Sequence, residues 1–126
     1  MTSKLYVVDA FSDRHFHGNP TGVCVLDRYP ADELMLNIAA ENNLSETAFV
    51  VPSGNDFAIR WFTPKIEVDL CGHATLASAH VLFTHLGYAG DEIRFLSRFS
   101  GMLKAFRDKE GIMLDFPAET VRKVPL

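Results

Sequence analysis

Apolar and polar residues alternate in two short stretches near the beginning of the chain. Leu5 and Val7 mark the first stretch, and Val23 and Val25 mark the second. Such alternation is typical of β-strands, in which successive side chains point to opposite faces of a sheet. The intervening residues, FSDRHFHGNPTG, are mostly polar and contain turn-forming residues, so the pattern predicts two strands joined by an exposed loop.

The next segment, PADELMLNIAAENN, has a helical spacing of its apolar residues. Leu34 and Ile38 lie four residues apart, and acidic residues occur at the beginning, where they favour a helix N-terminus. We therefore expect a short amphipathic helix that ends at Asn42 and Asn43.

Two stretches rich in β-branched and aromatic residues follow this helix. SETAFVV and DFAIRWF flank the turn sequence PSGND. Two strand patterns separated by so few turn-forming residues are typical of a hairpin, which is the structure we predict here.

Alternating patterns return in the last third of the chain. The segments EIRFLSRFS, GMLKAFR and GIMLDFP each place apolar residues at every second position, and DKEG precedes the last of them. They are expected to form a β-meander. The tail FPAETVRKVPL contains two prolines and is interpreted as the beginning of a linker.

Residues 71–90 contain no Asp, Glu, Lys or Arg. Small residues at Ala74, Ala77 and Ala79 allow close packing, and large apolar residues cover most of the remaining circumference, as expected for a helix surrounded by protein. The whole pattern predicts a single α+β domain over residues 1–126. In it, a curved mixed or antiparallel sheet of about seven strands wraps around one long central helix, with one additional short helix.

Composition narrows the class of partner. The 126 residues are 48% hydrophobic, carry a formal charge of −4 and show no basic cluster, which argues against nucleic acid and anionic membranes and favours a small solute. The apolar segment is too interrupted by polar residues to span a membrane. Only Cys24 and Cys71 are present, so a disulfide framework is not indicated. Reduced thiols and the lack of a signal-peptide pattern lead us to expect a cytoplasmic protein.

The central helix begins with chemistry-bearing residues. Its unpaired backbone N–H groups near Gly72 and His73 form a candidate cradle for a carboxylate or phosphate, and Thr75 could add a hydroxyl. Alternatively, Gly72 only makes the turn and His73 caps the helix. The helix dipole is expected to lower the pKa of Cys71, which could then act as a base or nucleophile, although a buried unreactive thiol is the commoner case.

Glu46 opens a predicted strand, on the same face as Ala48 and Val50. If that face turns inward, the carboxylate is partly desolvated and suited to proton transfer; otherwise it lies at the rim in water. Neighbouring Ser45 could orient a ligand or satisfy the strand end. Asp69 could orient His73 or cap the helix.

The remaining histidines suggest no metal centre. His15 and His17 form an H-x-H pair, but no third or fourth ligand follows at metal spacing, so no metal site is predicted. His80 and His85 are interpreted as core or capping residues.

Several motifs resemble a known family when they are taken together. VDAFSDRHFHGNPTGVCVL, NLSETAFV, IRWFTPKIEVDLCGHATLASAHVL and LDFPA are similar, in order and spacing, to the N-terminal half of PhzF-like proteins of phenazine biosynthesis. These proteins are relatives of diaminopimelate epimerase. The resemblance implies two similar domains that face each other, with the N-termini of their central helices meeting at a cleft.

The resemblance also implies an activity, namely isomerisation without a cofactor, in which a proton leaves a carbon atom and returns elsewhere or to the other face. It makes Glu46 the general acid/base of a small carboxylate-bearing substrate. It assigns further positions to substrate binding: Gly72, His73, Asn19, Ser45 and Asp69. Cys71 matches one of two catalytic cysteines in the epimerase relatives and is a possible second acid/base.

The family continues into a second half that this sequence lacks. Either the chain is a fragment or split product, or two copies associate in place of the missing half. Since a bare inner face would expose a large apolar patch, we expect a homo-oligomer or dependence on a second polypeptide. Two other functions stay open: a thiol-dependent epimerase or racemase using Cys71, and a non-catalytic module that binds small ligands or serves assembly.

Overall fold

The computed structural model describes residues 4–8 and 20–115 in full and the backbone of residues 122–125. These residues form nine strands, two α-helices and one π-helical turn. The strands are β1 (Lys4–Val8), β2 (Thr21–Val25), β3 (Glu46–Ser53), β4 (Asp56–Phe62), β5 (Glu67–Val68), β6 (Glu92–Ser97), β7 (Gly101–Arg107), β8 (Gly111–Asp115) and β9 (Arg122–Pro125). The helices are α1 (Asp32–Asn42) and α2 (Gly72–His80), and the π-helical turn Val81–His85 continues α2.

All nine strands belong to one sheet. Its order is β1-β2-β3-β4-β6-β7-β8-β9, and β5 pairs with the end of β4. Most neighbours are antiparallel, including the predicted hairpin of β3 with β4 and the predicted meander of β6, β7 and β8. The pairs β2 with β3 and β4 with β6 are parallel. The sheet is therefore mixed, and the predicted α+β class is confirmed.

The two helices pack on opposite faces of this sheet. Each connects a parallel pair, and the two connections advance in the same direction across the sheet although their strands run in opposite directions. Right-handed crossovers, which are almost universal, then place the helices on opposite faces. Val23 and Val50 accordingly pack in the cluster around α2, whereas Cys24 and Phe49 pack with Met35 of α1.

The central helix is enclosed by the concave face of the sheet. Every residue from Ala74 to Ala79 is buried, and so are Val81 and Leu82 in the π-helical turn. The helix ends before Gly87, whose φ of +66° is one that glycine adopts at little cost. The predicted helix surrounded by protein is thus confirmed. Among the described residues, no helix is both long enough and apolar enough to cross a membrane.

Two strands were not predicted. β5 has only two residues, too few to show a periodicity, and it forms because Trp61 and Phe62 of β4 pair with Val68 and Glu67. The interpretation of the whole tail as a linker is wrong, because Arg122–Pro125 adds a strand antiparallel to β8. The open edge of β8 offers unpaired backbone groups that this segment can satisfy.

Candidate active site

One edge of the sheet gathers the residues that the sequence singled out. β2 and β3 are parallel, and Thr21 pairs with Glu46 at the beginning of both strands. β4 runs antiparallel to β3, so it ends at this same edge, where Thr47 pairs with Phe62. β5 follows there, and the chain then enters α2. The N-terminus of α2 is therefore delivered to the end of β3 that carries Glu46.

Glu46 is half-buried at this edge. Alternation along β3 puts it on the face of Ala48 and Val50, both of which are fully buried against the α2 side of the sheet. The face that carries Glu46 therefore does turn inward, towards the start of α2.

Cys71 is the N-cap of α2 and lies between Glu46 and the first helical turn. Its backbone is extended, with φ of −144° and ψ of 104°, and its side chain makes no cap hydrogen bond. The thiol interacts with the Glu46 carboxylate on one side and with the backbone amides of Ala74 and His73 on the other. The structure thus brings a carboxylate, a thiol and a helix N-terminus to one point.

The environment of Cys71 determines the charge of its thiol. Burial raises the pKa of Cys71 to about 11; the amides of Ala74 and His73 oppose this rise, and the charge of Glu46 and its contact with the thiol increase it. The predicted lowering of the pKa is therefore wrong in direction, because burial and a neighbouring negative charge outweigh the helix dipole. The group is a neutral thiol at neutral pH.

Thr75 faces the protein interior and not the site. Its hydroxyl donates to the Cys71 carbonyl over 2.8 Å and accepts from the Trp61 indole over 3.0 Å. Because one donor and one acceptor function are thereby used inside the core, the expectation that this hydroxyl adds to an anion cradle is wrong. Trp61 was not singled out from the sequence; a lone buried tryptophan needing a partner for its N–H was the available signal.

The other predicted site residues surround this point at different depths. Gly72 and Ser45 are half-buried, and His73 and Asp69 are exposed. The carbonyl of Asp69 accepts a hydrogen bond of 2.8 Å from the Ser100 hydroxyl, which ties this segment to the turn between β6 and β7. Asn19 lies outside the described residues.

The histidines show no metal-binding arrangement where they are described. No three His, Cys, Asp or Glu side chains within residues 4–8 and 20–115 come together in a way that could hold a metal ion. His15 and His17 lie outside those ranges. His85 stacks on Tyr6 at 5.4 Å between ring centroids, and His80 meets His85 edge-on at 5.8 Å. Burial, followed by the charge of His85, lowers the pKa of His80.

Several known proteins are similar to this chain in sequence and in fold. An uncharacterized isomerase of Pseudomonas aeruginosa is 56% identical over 119 residues, which are 94% of this chain and 45% of that protein. The crystal structure of a phenazine biosynthesis protein of the PhzF family from Enterococcus faecalis is 48% identical, with a TM-score of 0.85 over 100% of this chain and 48% of the other. A predicted epimerase of P. aeruginosa is 25% identical, with a TM-score of 0.64 over 90% of this chain and 42% of the other.

The matches show which family the chain belongs to and what share of its relatives' length it covers. The chain spans about half the length of the relatives it matches. Residues 8–124 match the PhzC-PhzF family, described as phenazine biosynthesis-like protein. The resemblance inferred from the motifs is thereby confirmed, and the chain belongs to this phenazine biosynthesis-like family.

Proposed function

We propose that this chain supplies half of the active site of an isomerase that moves a proton at a carbon atom of a small carboxylate-bearing metabolite. The observation that carries the proposal is the meeting of the Glu46 carboxylate with Cys71 at the N-terminus of α2. Relatives named as isomerase and predicted epimerase support the reaction class.

The start of α2 suits the carboxylate of such a substrate. First-turn amides and the positive end of the helix dipole attract an anion. The amides of His73 and Ala74 lie towards a neutral thiol, and a thiol sulfur is a weak acceptor. A carboxylate accepts stronger, charge-assisted hydrogen bonds, so it displaces the thiol from these amides.

Glu46 is then within reach of the carbon next to the bound carboxylate. Its carboxylate takes the proton of that C–H bond, and the electron pair left behind is stabilised by the adjacent carboxylate and the helix amides. The protonated Glu46 returns the proton to another carbon on the same side; delivery to the other face would come from an acid on the opposite side of the site. The step needs neither oxidant nor reductant, because the proton removed is restored.

Cys71 is the weaker candidate for the base. With a pKa of about 11, roughly one thiol in ten thousand is ionised at pH 7. We therefore assign proton transfer to Glu46 and give Cys71 a place beside it as a neutral donor.

In our proposal, residues beyond the half described here complete the site. One helix N-terminus and one carboxylate hold only one side of a substrate, and relatives of this chain are about twice as long. The part of the family that lies beyond the matched half, a second copy of the chain or a separate polypeptide provides the opposite side.

The test is deuterium incorporation from heavy water into a panel of small carboxylic acids that carry a C–H bond beside the carboxylate. The chain is assayed alone at high concentration. It is assayed again with the unmatched half of the 56% identical Pseudomonas isomerase added as a separate polypeptide. Glu46→Gln is expected to lower exchange by about a hundredfold or more. Glu41→Gln, an exposed carboxylate of α1, is the matched control and keeps the rate.

The outcomes separate the three candidate functions. Exchange that survives in Glu46→Gln overturns the proposal. Loss in Cys71→Ser with retention in Glu46→Gln assigns a thiol-dependent epimerase instead. Saturable binding of a carboxylate without exchange in any variant assigns a binding module.

A further inference from the structure

A chain of buried hydrogen bonds ends at the residue that begins α2. The Trp61 indole Nε1 donates to the Thr75 hydroxyl over 3.0 Å, and this hydroxyl donates to the Cys71 carbonyl over 2.8 Å. The same carbonyl accepts the Thr75 backbone N–H over 3.1 Å. Trp61 and Thr75 are at most 1% exposed, so water does not compete for these bonds.

Trp61 also contacts the strand that carries Glu46. In the sheet it pairs with Ala48 of β3 on one side and with Val68 of β5 on the other. Ala48 is two residues from Glu46 on the same face, and Val68 is three residues before Cys71. The Trp61 backbone therefore lies between the strand bearing the carboxylate and the segment that enters the helix, while its indole reaches Thr75 of α2.

The thiol of the N-cap residue faces Glu46 and the first-turn amides, and the backbone of the same residue is held separately. The Cys71 carbonyl is the backbone group that the buried bond chain holds, because it accepts from both the hydroxyl and the amide of Thr75. Holding the carbonyl fixes the Cys71 backbone, from which the thiol leaves, and with it the start of the turn that carries the first-turn amides.

We propose that Trp61 and Thr75 are positioning residues that hold the start of α2 at a fixed place relative to Glu46. The consequence for proton transfer rests on the proposed function, whereas the positioning itself is measurable without activity. A shift of about 1 Å between substrate and base is enough to cost about a hundredfold in rate, so this bond chain belongs to the reacting geometry.

The test compares two buried hydroxyls of the same helix. Thr75→Val removes the hydroxyl that bonds to Cys71. Ser78→Ala removes one that donates to the Ala74 carbonyl over 2.7 Å, one turn later, and is equally buried. The readout is the rate at which iodoacetamide alkylates Cys71, assigned by peptide mass spectrometry so that Cys24 is counted separately.

In Thr75→Val, iodoacetamide is expected to alkylate Cys71 about tenfold faster than in the wild type, which corresponds to a thiol pKa lower by one unit. Thr75→Ser keeps the hydroxyl and is expected to restore the original rate. Ser78→Ala is expected to leave the rate unchanged. Wild-type alkylation in Thr75→Val, or equal acceleration in Ser78→Ala, overturns the inference.

A second measurement covers the case in which Thr75→Val does not fold. Trp61 is the only tryptophan of the chain, so its indole N–H gives a single nitrogen-correlated NMR signal. In Thr75→Ser the signal stays protected from solvent exchange, and in Trp61→Phe the alkylation of Cys71 accelerates as in Thr75→Val. A Trp61→Phe variant that alkylates at the wild-type rate contradicts the proposal.

The two proposals fail in different ways. If Glu46→Gln retains exchange while Thr75→Val alters the thiol, Glu46 is not the base but the positioning holds. If Glu46→Gln abolishes exchange while Thr75→Val leaves both thiol and exchange unchanged, the function holds and the positioning fails.

Discussion

The Glu46 carboxylate raises the pKa of the Cys71 thiol, in addition to the larger rise that burial causes. Removing the negative charge should therefore lower the pKa of Cys71 towards its ordinary value. We expect Glu46→Gln to increase the alkylation rate of Cys71 at pH 8 by about three- to tenfold, in proportion to the thiolate fraction. The full pH profile of alkylation measures the shift directly.

A charge change far from the thiol is the control for this prediction. Glu33→Gln removes an exposed carboxylate from the first turn of α1, on the opposite face of the sheet. Its alkylation profile should coincide with that of the wild type. Coincident profiles for Glu46→Gln and the wild type would show that the carboxylate does not touch the thiol.

The sequence singled out Glu46 and Cys71, but it did not show that Glu46 raises the pKa of Cys71. Glu46 and Cys71 each carried a local signal, one from strand alternation and one from its place before a helix. The rise in the pKa of Cys71 depends on burial and on a residue 25 positions earlier in the sequence. No local pattern contains either quantity, so the argument from the dipole alone gave the wrong direction.

Arg60 connects three elements on the outer face of the sheet. From β4 it donates to Glu67 of β5 over 2.8 and 2.7 Å and to Asp32 of α1 over 3.0 Å. Its side chain is only 10% exposed. Loss of the cation leaves the Glu67 carboxylate, which is 20% exposed, with only the longer contact of 3.4 Å to the exposed Arg98.

We expect Arg60→Met to lower the free energy of unfolding by about 2–3 kcal/mol, because the largely buried Glu67 carboxylate then keeps only its longer contact with the exposed Arg98. Arg94→Met is the matched control. Arg94 of β6 pairs with Asp56 of β4 over 2.9 Å, but it is 45% exposed, so the change should cost less than about 1 kcal/mol. Urea unfolding measures both variants, and equal losses would show that burial does not set the strength of these pairs.

Local patterns predicted the elements whose partners are adjacent in sequence. The hairpin and the meander need only alternation and a short turn, and the Asp108 side chain caps the last turn by accepting the amides of Glu110 and Gly111. The parallel pairings of β2 with β3 and β4 with β6 join strands across a helix. Alternation within a strand does not specify its neighbour, so these pairings had to come from the structure.

At the scale of the whole molecule, exposed apolar side chains lie near the N-terminus of α2. Ile66 is 61% exposed, Leu70 is 39% exposed and Phe99 is 60% exposed. Leu70 directly precedes Cys71, and Phe99 lies in the turn that Ser100 ties to Asp69. Exposed apolar side chains grouped in this way are typical of a surface that contacts another part of a protein or another polypeptide.

We expect this surface to mediate association with a second copy or with a separate half, so that Phe99→Asp shifts the chain towards the monomer in sedimentation equilibrium. A charge placed among buried apolar groups opposes association because it must lose its hydration. Leu86→Asp, which changes a 46% exposed leucine beyond the opposite end of the central helix, is the control and should sediment as the wild type. A wild-type chain that stays monomeric at high concentration and does not bind the remaining half of the Pseudomonas relative would refute the expectation. If the prediction holds, Phe99→Asp loses deuterium exchange together with association, because the substrate is then gripped from one side only.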